Sequence, residues 1–137
     1  MMNRAEFKNL ALTRLDDSRV LVKSRRYSAA YYVAGYAIEC ALKACLAKKT
    51  QLYQFPPKPE EVKKRYYTHN LQILAEESGI LQEIQKGQAK LREYWTAIKD
   101  WTEESRYDRG VAPRAKDLLK AIEDPGDGVL ECIKRYW

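Results

Sequence analysis

Apolar residues recur at spacings of three and four along most of the chain, but from Tyr27 to Lys49 they cover nearly every side. A helix of that kind has to be buried, so this stretch predicts a central helix with others packed around it. Ala30, Ala34, Ala37, Ala41 and Ala44 fall on one line, with Tyr27, Tyr31, Ile38 and Cys45 beside it. Glycine costs roughly 1 kcal/mol against alanine in an exposed helix, so Gly35 reads as a place where a neighbour comes close. Two charges interrupt the run, Glu39 and Lys43, spaced i, i+4 with the acid first, the favourable order for a pair on one face. They are the first candidates for function.

Around this element the pattern predicts amphipathic helices. Asn3 with Glu6 has the spacing of a capping box, and Phe7, Leu10, Ala11, Leu15 and Leu21 or Val22 form one apolar stripe behind it. Ser24 to Arg26 is so short a link that the first two helices become antiparallel neighbours. Periodicity stops after Lys49. Thr50 to Thr68 carries Pro56, Pro57 and Pro59, the last able to open a short helix at Glu60 and Glu61. Thr68 is the expected N-cap of a helix through Glu77 that stops at Gly79, with His69 in its first turn. Leu81, Ile84, Gln88, Leu91, Trp95 and Ile98 predict one long helix from about Ile80 to Trp101, seamed against the central one. A polar connection, Thr102 to Ala112, precedes a last helix with Ala115, Leu118, Leu119 and Ile122 buried. Pro125 must kink or break that helix before Val129, Leu130, Ile133 and Trp137 continue its apolar side.

These elements amount to an all-α antiparallel up-and-down bundle of about five helices, a single domain over residues 1–137. A membrane span is disfavoured, because two central charges cost about 2.5 to 3.5 kcal/mol each on insertion. The net charge of +6 suits an anionic partner, yet nineteen acidic residues are interleaved with the basic ones, so no long cationic tract results. Three cysteines without metal-type spacing fit the cytoplasm, and the amphipathic start carries no secretory signal. The densest basic-aromatic cluster is Lys63, Lys64, Arg65, Tyr66 and Tyr67, which reads first as a solvated loop whose tyrosines pack on the bundle and second as a combination able to stack bases and contact phosphates of RNA.

The run G-Y-A-x-E-x-x-L-K-A from Gly35 to Ala44, followed much later by W-T-E-E-S-R-Y from Trp101 to Tyr107, resembles the HEPN domain, a small helical module of bacteria and archaea. The resemblance implies a helical bundle that commonly dimerises and is often encoded beside a minimal nucleotidyltransferase in a toxin-antitoxin pair. Some family members are ribonucleases, marked by an arginine followed, after four to six residues, by a histidine. Arg106 matches the arginine, but Val111, Ala112 and Pro113 stand where the histidine should, and none can move a proton. No other nucleophile-base set, phosphate loop or metal-ligand cluster is visible in the sequence, and no cofactor is implied.

The resemblance would bring Glu39, Lys43, Arg106 and Tyr107 toward one region. There Arg106 either pairs with Glu39 and anchors the loop, or contributes to a residual phosphate or nucleotide site. Three functions follow as expectations. The first is a non-catalytic binding module, acting as a homodimer with a nucleotidyltransferase or an RNA or nucleotide partner in a toxin-antitoxin-like or stress-defence system. The second is a metal-independent endoribonuclease with an atypical site, and the third a protein adaptor with no nucleic-acid role. Dimerisation is also suggested by more aromatic surface than a small bundle needs: Trp95, Trp101, Trp137 and ten tyrosines.

Overall fold

The computed structural model describes residues 2–53, 65–104 and 112–137, without the side chains of 51–53. Lys63, Lys64, Arg106, Tyr107 and the short helix expected after Pro59 lie outside them. The described residues form helices and turns with no strand, as the periodicity predicts. Helix α1 spans Arg4–Lys23 and opens on the expected capping box, in which Asn3 accepts from the Glu6 amide at 2.9 Å and Glu6 accepts from the Asn3 amide at 3.1 Å. It ends in a Schellman turn, the Arg26 amide donating to the Leu21 carbonyl and the Arg25 amide to the Val22 carbonyl. Arg25 takes the left-handed conformation there (φ 60°), a position usually left to glycine. The chain thereby reverses into α2, Tyr27–Tyr53, which runs four residues past the apolar pattern.

The α1 and α2 helices pack along each other, and α2 also touches three of the later helices, so the core is built on it. The alanine stripe is fully covered within one chain: Ala30, Ala34, Ala41 and Ala44 are wholly inaccessible to solvent. Ser18 is the one polar residue α1 buries, and its hydroxyl donates to the Ala30 carbonyl at 2.9 Å.

Three expectations on the following helices are corrected. Helix α3 is Leu71–Ser78 with Asn70, not Thr68, as its cap: Asn70 accepts from the Ile73 amide at 3.1 Å, while Thr68 accepts from the Asn70 amide. His69 therefore sits in the turn ahead of the helix, outside its first turn. The long seamed helix is two, α4 (Ile80–Lys86) and α5 (Ala89–Lys99), parted where Gly87 turns extended. A methyl group on Gly87 would come within 2.6 Å of a Leu91 methyl in the first turn of α5, a local contact that the alternation of threes and fours does not register. Nor is α2 the main partner of α5, which packs chiefly on α6, Ala112–Glu123.

After α6, the Asp124 carboxylate accepts from the Gly126 amide, and the Gly128 amide donates to the Asp124 carbonyl at 2.9 Å. Pro125 stands in this turn as predicted, and α7 (Val129–Lys134) returns to the core with Val129, Leu130, Cys132 and Ile133 buried. The split of the long helix and the turn at Pro125 account for seven helices among the described residues where about five were expected. No helix among those residues is long and apolar enough to cross a membrane.

Candidate functional site

Helical spacing sets Tyr32, Tyr36, Glu39 and Lys43 on one stripe of α2, because steps of four, three and four residues return to the same side. Directly after α5 the chain lays Trp101 onto this stripe. A Cβ at Gly35 would lie 2.2 Å from the indole ring, so the absence of a side chain there is what admits Trp101. Trp101 is 2% exposed; its ring stacks on Tyr32 at 5.9 Å, and Tyr32 stacks on Tyr36 at 6.4 Å. The indole Nε1–H finds no acceptor among the described residues, so packing alone holds the ring. Burial, then the neighbouring Cys40 and Glu39, pushes the Tyr36 hydroxyl up to about 12, which keeps it a neutral donor.

One turn further on, Glu39 is 2% exposed. A buried carboxylate is tolerated only with its oxygens satisfied by charged donors. Lys43 Nζ reaches one oxygen at 3.2 Å, the pair the spacing predicted, and His69 Nδ1 reaches the other at 2.9 Å. The second imidazole nitrogen, Nε2, lies 3.2 Å from the carboxylate of Glu103. His69 thus joins a core helix to the segment that carries Trp101. Carboxylates only accept hydrogen bonds, so both contacts form together only when both ring nitrogens carry protons. The four side chains then sum to zero charge, two acids against a lysine and an imidazolium.

Beside His69 opens a cleft of about 520 Å³, floored by the 68–70 turn and the 99–104 segment. Among the described residues, Asp100, Glu103 and Glu104 line it against one lysine, Lys99, so that part of the cleft is acidic on a chain that is basic overall. Its rim repels a phosphate and attracts a cationic group.

The sequence singled out Glu39 and Lys43, and they stand at this site. His69 and Glu103 were missed. A histidine one residue before a helix cap reads as a local hydrogen-bonder, and nothing in its spacing shows that it meets a residue thirty positions earlier. The one available signal was the second oxygen: a lysine one turn on meets one oxygen of a buried carboxylate and leaves the other in need of a donor. Arg106, the other expected partner of Glu39, lies outside the described residues.

Within the weaker basic-aromatic cluster, Arg65 binds Glu76 at 3.1 Å and also Glu77, two acids of α3. Tyr66 is half-buried against the core, and Tyr67 is exposed. Exposed ion pairs of this sort contribute about 0 to 1 kcal/mol and exchange readily for other partners. Of the aromatics invoked for dimerisation, Trp95 and Trp101 are consumed by the core of one chain, and Trp137 is partly buried with Lys8 over its ring. All three cysteines are buried free thiols; burial pushes Cys40 up to about 11 and Cys45 up to about 12, and raises Cys132. They are protonated at neutral pH and poor nucleophiles.

Residues 5–135 match the HEPN domain, nearly the whole chain. No curated protein and no solved structure matches it.

Proposed function

The chain belongs to the HEPN domain family, and from that premise we propose that it is a non-catalytic binding module, acting as a homodimer with a nucleotidyltransferase or an RNA or nucleotide partner in a toxin-antitoxin-like or stress-defence system. The observation that carries the non-catalytic reading is that Val111, Ala112 and Pro113 stand where the proton-moving histidine of the ribonuclease motif would be. His69, the only histidine in the sequence, belongs to another segment, and its Nδ1 is engaged by the buried Glu39. Arg106, the residue that matches the ribonuclease motif, stays protonated and can stabilise charge but cannot act as a base. The acidic rim of the cleft adds support, since RNA would meet three carboxylates beside that histidine.

The test is digestion of a mixed RNA substrate by purified wild-type protein, His69→Ala and Arg106→Ala. General acid-base help is worth about a hundredfold to ten-thousandfold, so a working site would give a large difference. The expected result is the same background decay in all three. Degradation by the wild type that both substitutions abolish would overturn the reading and make the protein an endoribonuclease.

A further inference from the structure

The contact between His69 and Glu103 differs in kind from the one between His69 and Glu39. Glu39 is 2% exposed, fixed on the central helix and shared with Lys43, so it has nowhere else to go. The Glu103 side chain is 44% exposed, and that of His69 itself 49%. If the imidazole holds one proton, only one of its two carboxylate contacts stays attractive. Losing the inner one would strip a buried carboxylate of half its donors, whereas Glu103 can turn into water at little cost. The remaining proton therefore stays on Nδ1.

We propose that His69 is a proton-operated latch: with both nitrogens protonated it ties the 102–104 segment to the central helix, and with one proton it releases Glu103 and presents a bare Nε2 to the cleft.

The charged groups facing the ring agree with this assignment. Among the described residues these are Glu39 and Lys43 from α2, Lys99 from the end of α5, and Asp100, Glu103 and Glu104 from the chain after it; the adjoining Thr68 and Asn70 carry no charge. The two acids of α3, Glu76 and Glu77, are taken by Arg65. Asp100 and Glu104 add negative charge beside Glu103, which favours the closed form when the ring is cationic and drives the segment away when it is not. Motion is bounded on one side, because Trp101 is wedged over Gly35 and stays in place. The latch rests on the protein's own geometry and holds whether or not the cleft takes a partner.

His69 is the only histidine, so its ring nitrogens give unambiguous signals in long-range proton-nitrogen spectra of the labelled full chain. These are followed from about pH 5 to about pH 9, the span in which imidazoles exchange their proton. At the alkaline end the expected form is protonated on Nδ1 with Nε2 bare, the reverse of the tautomer that free imidazole side chains prefer. The amides of Thr102, Glu103 and Glu104 should shift along the same curve as the ring. Glu103→Ala, an exposed position where folding is safe, should keep the Nδ1 tautomer but lose most of that coupled amide shift. A ring protonated on Nε2 at the alkaline end would overturn the proposal, as would 102–104 amides that follow the ring equally in wild type and Glu103→Ala.

Discussion

Two sides of the same helix follow different rules. On its alanine side α2 is dry and tightly approached, with five alanines no more than 2% exposed. On the side of Glu39 it is polar, and its partners are a lysine from its own next turn, a histidine from a turn and a glutamate from a short segment. The first side gains from removing surface from water, which is non-directional and tolerates many sequences of the right size. The second depends on complete pairing, because one missing donor leaves a buried charge exposed to the full desolvation penalty. Gly35 and Trp101 lie where the two regimes meet, so a core contact determines where the polar segment lies.

The largest effect should come from Trp101→Ala, which empties the seam between the two sides. It is expected to cost about 3 to 5 kcal/mol in denaturant unfolding. A loss below about 1 kcal/mol would mean the indole is not part of the core.

Next in size, Glu39→Gln should cost about 1.5 to 3 kcal/mol, the range for hydrogen bonds to charged groups. Lys43→Met should cost less in the Glu39→Gln background than alone, and additivity of the two would show that the ion pair is not coupled.

Gly35→Ala should cost about 1 to 3 kcal/mol by overpacking against the ring. In the Trp101→Ala background the same change should become neutral or stabilising, because helix propensity is then the only term left. Persistence of the full cost there would place the clash elsewhere.

The smallest effect serves as a control away from both sides. The Tyr94 hydroxyl donates to the Asp124 carboxylate. That bond, then the Gly126 amide, holds Asp124 below the usual carboxylate range, and the same bond, then burial, pushes Tyr94 up to about 12. A lowered carboxylate contributes stability that is present above its ordinary value and lost as pH falls through the lowered one. A raised phenol contributes stability that is present below its ordinary value and lost as pH rises toward about 12. Tyr94→Phe should flatten both limbs of the stability profile in thermal melts while leaving the Glu39 cycle unchanged.

The alanine side was legible in the sequence because burial is written into consecutive residues at helical spacing. The same logic gave α1 with its cap, the turn at Ser24 to Arg26, and the buried positions of α6 and α7. It failed between Ile80 and Trp101, where alternating threes and fours continue through Gly87 but the backbone turns extended at that glycine and the helix ends. At the candidate site, Glu39 and Lys43 were readable because they are neighbours on one helix. His69 and Glu103 were not, since their meeting depends on how Trp101 docks, which no local pattern encodes.

The three sealed thiols make the fold its own clock. Cys40 and Cys45 stand on the central helix and Cys132 on the last, each buried and held in the unreactive protonated form. A thiol reagent can modify them only while the surrounding helices are parted. The pace of modification at Cys132, set against that at Cys40, would thus time the departure of the terminal helix separately from the opening of the middle of the bundle, with no label added to the chain.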